Sequence, residues 1–222
     1  MKHLLYCVFR SDLDHPLEEP GMCVVASGSL AAVVSPLEEA TPTPSVASLL
    51  AYERVVEAIY ARGAVIPLRY GCVVESRSAV VQLLKEHRPQ YEAILGRFRD
   101  MAEMGIRVLC PARSETVAEI PLSPGAAYLA SLRNSYGSTS SFAPGETQLA
   151  DQIAGLLSGH YLEQQREISP VEQGRLVSMY FLTPKIEVEG FRNKARKIQP
   201  PSGTKLLLSG PWPPFNFAVS LD

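Results

Sequence analysis

Few residues of this 222-residue chain have the types and spacing that catalysis or metal binding requires. The tightest polar cluster is Asp12, Asp14 and His15, which resembles a cation site but lacks the glycine and distal glutamate of a calcium loop. A solvated loop is the better interpretation of that cluster. The serine-rich run 138–141 offers hydroxyl groups, but no GxSxG pattern or spaced base accompanies it, so we interpret it as a flexible linker.

Metal, nucleotide and redox motifs are also missing from the sequence. The 4 histidines share no motif with one another or with cysteine, and a metal site needs several ligands together. The phosphate-binding patterns GxGxxG and GxxxxGK[ST] do not occur. The cysteines lie far apart in apolar runs, which favours reduced and buried thiols: Cys7, Cys23, Cys72 and Cys110. We therefore expect no cofactor, no metal, no catalytic residue and a cytoplasmic location.

Composition excludes further classes of function. The 21 Lys and Arg residues against 23 Asp and Glu residues give a net charge of −2, which provides no basic field for nucleic acid. No apolar run approaches the roughly 20 residues that span a bilayer, and the run at 4–9 stops at Arg10. With 46% hydrophobic residues the chain is predicted to be packed and globular, with no nucleic acid, membrane or small-molecule partner.

Two segments combine residue types that an ordinary strand avoids. PLRYG contains the rigid Pro67, then Arg69 inside an apolar run, then Gly71. A buried Arg69 would need an acceptor, so we expect it either to tie two elements together or to face a partner. In GPWPPFNF, three prolines stiffen the chain around its single tryptophan. The candidate contact residues of this second segment are Gly210, Trp212, Phe215 and Phe217.

Two uses of the stiff aromatic tail remain open. It plugs a groove between two domains, or it presents apolar surface to another protein. The prolines are expected to end the preceding strand, and Phe215, Phe217 and Val219 alternate as an edge strand does.

The elements that position these segments alternate between short apolar runs and helical periodicity, which predicts an α+β fold. Ser27-Gly28-Ser29 predicts a hairpin turn, and Ser45 is a predicted N-cap for a helix that Gly63 ends. A second helical stretch runs from Ser76 to Gly105, where Pro89 should kink or divide it. The predicted strands of this half are 4–9, 23–26, 30–34 and 69–74.

The second half reads as β, helices, β, β, α, β, which is the ferredoxin-like order with extra helices in the first crossover. Its predicted strands are 106–110, 166–169, 176–182 and 205–208, and its predicted helices are 126–134, 146–165 and 184–198. We therefore predict an N-terminal α+β domain over 1–104 and a C-terminal ferredoxin-like domain over 105–209. The latter carries a helical insertion at about 124–165, and the aromatic tail 210–222 packs between the two domains.

These segments resemble the gas vesicle protein F/L family (GvpF/GvpL). GPWPPFNF is similar to the family's C-terminal GPWPPYSF, and PLRYG is similar to PxRFG. LLYCVFR, LAAVVS and YERVVEAI are similar to LYAVV, AVVS and HERVV, and GIRVL and GAAYLA follow in the family's order. The departures are modest: tyrosine replaces histidine at 52 and phenylalanine at 70, cysteine replaces threonine at 72, and Phe215-Asn216 replaces Tyr-Ser.

The resemblance implies a minor structural or assembly protein of the gas vesicle, a hollow intracellular protein shell. Such a protein is not an enzyme and binds the major shell protein GvpA and other accessory proteins. Its implied location is the cytoplasm and the gas vesicle, with the gas-facing inner surface of the shell as one position. The rival hypothesis is a small-ligand-binding ferredoxin-like domain or an enzyme on that scaffold, since this fold hosts many functions.

Overall fold

The computed structural model describes residues 1–13, 21–37, 44–111 and 142–218. Within those ranges the chain is a mixed α/β protein with two antiparallel sheets and five α-helices. The strands are β1 His3–Arg10, β2 Cys23–Ser27, β3 Leu30–Pro36, β4 Val65–Pro67, β5 Val73–Val74, β6 Met101–Pro111, β7 Glu163–Val171, β8 Gly174–Pro184 and β9 Lys205–Trp212. The helices are α1 Val46–Tyr60, α2 Arg77–Glu86, α3 Arg88–Arg97, α4 Pro144–Leu156 and α5 Val188–Ala195, with short 3₁₀ helices at Lys185–Glu187 and Phe215–Phe217.

The chain divides into two compact units. The first comprises Met1–Glu103, Leu182–Ile186 and Gly210–Asp222. The second comprises Met104–Phe181 and Glu187–Ser209. Three strands contribute residues to both units, since β6, β8 and β9 each contain a point of division.

The first sheet has the order β2-β3-β1-β4, and β5 also pairs with β1. β1 and β3 are antiparallel, and their register shifts between Leu5 and Cys7, which marks a bulge in β1. β2 and β3 form the predicted hairpin, and Gly28 takes the positive φ of 65° that its tight turn needs. β1 and β3 are buried along most of their length, so this sheet supplies the centre of the core of the first unit.

Helix α1 begins as the sequence predicts. The Ser45 hydroxyl accepts the Ser48 N–H at 3.1 Å, and the Ser48 hydroxyl accepts the Ser45 N–H at 2.9 Å, which satisfies two otherwise free donors. The helix ends at Tyr60 with Ala61 as its C-cap, two residues before the predicted cap Gly63, whose N–H donates to the Ile59 carbonyl at 3.3 Å. Gly63 also leaves room for Leu13, whose Cδ1 would lie 2.8 Å from a Cβ at this position.

Two predictions for the first half are corrected. Of the predicted strand 69–74 only Val73–Val74, which is β5, is a strand, and β4 lies before it at Val65–Pro67. A turn separates the two strands, in which Gly71 has φ +93° and the Cys72 N–H donates to the Arg69 carbonyl at 3.2 Å. The helical stretch is divided at His87, next to Pro89, as predicted. It ends at Arg97 rather than at Gly105, and Asp100, at φ +57°, precedes strand β6.

The second sheet has the order β7-β8-β6-β9. The predicted helix 146–165 is too long, because α4 ends at Leu156 and Gly159 takes a φ of +87° ahead of β7. Phe181 on β8 packs edge-on against Phe191 of α5, with ring centres 5.2 Å apart, and so joins the last helix to the sheet. The predicted helix 126–134 and the serine run 138–141 lie outside the described residues.

Candidate functional site

The C-terminal tail is partly anchored and partly exposed. Pro213, Pro214 and Phe217 are buried, whereas the Trp212 side chain is 37% exposed. The predicted strand 205–208 is four residues too short. β9 is an edge strand among the described strands, where proline is tolerated, so it continues through Pro211 to Trp212 and ends before Pro213 and Pro214. The predicted alternation of Phe215 and Phe217 is wrong. These residues form a 3₁₀ turn, in which the Phe217 N–H points to the Pro214 carbonyl at 3.3 Å.

A carboxylate clamp holds the turn. Glu103 on β6 is 4% exposed, and one of its carboxylate oxygens accepts the backbone N–H of Asn216 at 2.8 Å. The other oxygen accepts the side-chain Nδ2–H of Asn216 at 2.6 Å. A buried carboxylate is costly unless hydrogen-bond donors meet it, and bonds to a charged acceptor are the stronger kind. Asn216 therefore fixes the tail to the start of β6.

Two further contacts fix the same turn. The Arg97 guanidinium donates to the Phe217 carbonyl at 3.1 Å. The Cζ atom of Arg97 also lies over the Phe98 ring, 5.1 Å from its centre. Phe217 is buried, and Phe215 packs against a core cluster built from β1, β3, α1 and β4. The tail therefore has a defined position on the first unit.

The PLRYG segment meets that same core cluster. Pro67 is buried and lies opposite Cys7 in the β1–β4 pairing, and Tyr70 packs against the cluster. Arg69 and Gly71 are exposed in the turn between β4 and β5. Arg69 is therefore not a buried arginine that requires an acceptor, and its facing a partner stays a prediction.

Tyr52 of α1 links the β1 bulge to this segment. Its hydroxyl lies 3.1, 3.0 and 2.9 Å from the backbone carbonyls of Leu5, Tyr6 and Leu68, and its ring stacks on Tyr6 at 4.6 Å. Burial raises the pKa of the Tyr52 hydroxyl, so it stays a neutral donor. Burial also raises the pKa of the neighbouring Cys7 thiol, to about 12.

The structure brings some of the predicted site residues together and separates others. Tyr70 and Phe215 reach one cluster, whereas Arg69 and Trp212 are exposed. The roles of Glu103, Arg97 and Asn216 were not predicted from the sequence. One signal was available, because Glu103 is the single charge in the run MAEMGI, where a buried acid needs a partner.

A charged cavity of about 370 Å³ lies elsewhere in the first unit, between the end of β1 and helix α3. Two of the carboxylates that line this cavity, those of Asp12 and Glu92, already have hydrogen-bond partners. Arg10 donates to Asp12 at 3.2 and 3.3 Å, which holds the pKa of Asp12 below its usual value, and the Ser29 hydroxyl contacts Glu92. Of the proposed cation cluster only Asp12 lies in the described residues, where no group of three His, Cys, Asp or Glu side chains is arranged to bind a metal. All four cysteines are free thiols, and Cys7 is the buried one.

No helix in the described ranges is both long enough and apolar enough to cross a membrane. The geometry defines a two-sheet α/β protein whose motif residues brace a C-terminal tail against a core. The chain belongs to the gas vesicle synthesis protein GvpL/GvpF family, whose model matches residues 2–219.

Solved structures with a similar fold carry the same family name. The gas vesicle protein GvpF from Microcystis aeruginosa is 14% identical, with a TM-score of 0.67 over 98% of this chain and 99% of that one. GvpF from Anabaena sp. PCC7120 is 16% identical, with a TM-score of 0.63 over 98% of this chain and 96% of that one. At such identities the likeness concerns the fold. No curated protein matches the chain.

Proposed function

We propose that this protein is a non-enzymatic, minor structural or assembly component of the gas vesicle that binds the major shell protein GvpA and other accessory proteins. Family membership supports a gas vesicle-related role. The observation that carries the finer proposal is the anchored tail, because Glu103 and Asn216 hold the chain in place while Trp212 is left partly exposed.

An anchored tryptophan suits a binding role. Association loses free energy when flexible side chains and loops must be ordered, so a side chain held in place beforehand binds at a lower cost. Tryptophan is also enriched among the few residues that dominate interface energies. The prolines on both sides of Trp212 and the clamp at Asn216 restrict the segment that carries it.

We also propose the finer organisation of the chain. The order β7-β8-β6-β9, with helices between β6 and β7 and between β8 and β9, supports a ferredoxin-like domain over 105–209. An α+β domain over 1–104 and a separate tail over 210–222 complete this organisation. The proposed location is the cytoplasm and the gas vesicle, at the gas-facing inner surface of the shell.

The rival hypothesis, a ligand-binding domain or an enzyme, would use the cavity of about 370 Å³. That volume lies within the range of small-molecule sites, roughly 300 to 1,000 Å³. The pairing of Asp12 with Arg10 and of Glu92 with Ser29 weighs against it. A thermal-shift screen with nucleotides and divalent cations separates the two hypotheses, because a reproducible rise in Tm with one compound would favour the rival.

The proposed function is tested by co-expressing the tagged protein with GvpA and measuring the amount of GvpA captured. The test variant is Trp212→Ala, and the matched control is Ile186→Ala, which truncates an apolar side chain that is 89% exposed. Loss of a central interface tryptophan costs at least about 2 kcal/mol, or roughly thirtyfold in affinity.

We expect the wild type and Ile186→Ala to capture GvpA and Trp212→Ala to capture little. Equal capture by all three would show that the tail is not the contact. Failure of the wild type to capture GvpA would refute the shell-binding proposal itself.

A further inference from the structure

The second sheet has two edges that differ in chemistry. Its order, β7-β8-β6-β9, leaves β7 and β9 with a strand on one side only among the strands that the structure describes. An edge strand presents a row of unpaired backbone N–H and C=O groups, to which another extended chain can add. Natural sheets protect such edges with charged side chains, prolines or short strands.

β7 carries these protective features. Glu163, Arg166 and Glu167 place three charges in nine residues, and Pro170 removes a backbone donor near the end of the strand. Arg166 is further held by Asp151 of α4 at 2.6 Å. This edge is therefore poorly suited to accept another strand.

β9 carries less of that protection, because its one charged residue, Lys205, stands at its first position. Three consecutive leucines, 206–208, follow Lys205, and Pro211 comes only near the far end. The Leu207 side chain is 58% exposed, whereas Leu206 and Leu208 are half-buried. Among the described residues, no backbone group of 205–209 bonds to anything beyond the neighbouring strand β6.

We propose that the β9 edge at 205–209 accepts an extended apolar segment of the gas vesicle shell protein by backbone hydrogen bonding. This inference rests on the proposed function and names the surface used. A row of free backbone groups is met by an extended chain rather than by a helix, whose backbone bonds are internal. An exposed leucine within that row favours an apolar side chain opposite it.

The charge of Lys205 favours some apolar segments over others as the bound strand. Lys205 is exposed at the start of the edge and forms no ion pair with any residue of the described ranges. A bound segment with an acidic residue at the corresponding end gains a cross-strand pair there, and one with a basic residue meets repulsion. The occupant is therefore an extended, apolar segment that carries an acid at one end.

The test combines two variants with one matched control, each co-expressed with GvpA in the full-length chain. Leu207→Lys places a protective charge in the edge, and Lys205→Glu reverses the end charge. Leu156→Lys is the control, because this leucine of α4 is 57% exposed and is not part of β9. Far-UV circular dichroism checks that all variants are folded. Hydrogen exchange then measures backbone protection at 205–209 with and without GvpA.

We expect wild type and Leu156→Lys to capture GvpA equally, capture by Leu207→Lys to fall at least tenfold, and capture by Lys205→Glu to fall by a smaller factor. Bound GvpA should slow exchange at 205–209 at least tenfold. Equal capture by wild type and Leu207→Lys, or capture without slowed exchange, would overturn the edge proposal while leaving GvpA binding intact. If the wild type captures no GvpA, both proposals fail together. Self-association that Leu207→Lys abolishes would instead identify a second copy as the occupant.

Discussion

Replacing Asn216 by alanine is expected to loosen the C-terminal tail. The substitution removes the Nδ2–H that meets one oxygen of the Glu103 carboxylate at 2.6 Å, while the backbone N–H keeps its bond to the other oxygen at 2.8 Å. Because Glu103 is buried, water does not readily replace the lost donor. The expected result is a less stable tail on an otherwise unchanged first unit.

The size of the effect follows from the type of bond. Removing a hydrogen bond to a buried charged group costs about 1.5 to 3 kcal/mol. For a chain of this length each kilocalorie lowers Tm by roughly 2 to 4 °C, so the loss should be about 3 to 12 °C. Glu103→Gln should cost a similar amount, because its NH₂ group faces one of the two donors of Asn216. The double variant should lose less than the sum of the two single variants.

Trp212 provides the assay, because it is the single tryptophan and lies four residues from Asn216. Urea unfolding followed by tryptophan fluorescence reports the tail, and far-UV circular dichroism reports the whole chain. Asn193→Ala is the control, since Asn193 is an exposed residue of α5 whose side-chain oxygen accepts a hydrogen bond from the neighbouring Arg196 at 3.5 Å. A fluorescence midpoint for Asn216→Ala that matches both wild type and Asn193→Ala would refute the clamp as a source of stability.

Three other predictions concern the core and the PLRYG turn. Tyr52→Phe keeps the ring stacking but removes the hydroxyl that three backbone carbonyls share. The free energy of unfolding, measured by urea titration, should therefore fall by about 1 to 3 kcal/mol. An unchanged free energy would show that the Tyr52 hydroxyl does not stabilise the contact between α1 and β1. Gly71→Ala should cost at least about 1 kcal/mol because of its φ of +93°, whereas Gly96→Ala in open space on α3 should raise stability by up to about 1 kcal/mol, and the opposite order would contradict the strain argument. Burial raises the pKa of the Cys7 thiol from 9.0 to about 12, so this thiol loses its proton at a lower pH in the unfolded chain than in the folded one. The free energy of unfolding should therefore decline as the pH rises from 9 towards 12. Stability curves for Cys7→Ala should decline less over that range, and identical slopes would exclude Cys7 as a contributor.

Local signals in the sequence predicted several features correctly. The cap at Ser45, the hairpin turn at Gly28 and the division of α2 from α3 near Pro89 each depend on neighbours a few residues away. The motif segments were also sufficient to identify the family. Such features can be predicted because side-chain capping, positive φ and the missing proline N–H act within one turn of the chain.

The ends of elements were less predictable where tertiary pairing competes with local propensity. Residues 101–105 have helical spacing in the sequence, yet they form the start of β6. Gly105 fits that strand because a Cβ there would lie 2.5 Å from the Ser209 hydroxyl oxygen. The pairing partners of β6 are remote in sequence, so a local pattern could not predict this outcome.

By itself, the sequence determined the alternation of strands and helices, the local caps and turns, and the family to which the chain belongs. Only the tertiary structure decided that Glu103 and Asn216, 113 residues apart, form the clamp. It also decided that Arg69 and Trp212 are exposed while Phe217 is buried. The physical reason is that a buried carboxylate, a half-exposed aromatic ring and an open strand edge are defined by neighbours that folding brings together, and spacing along the chain does not encode them.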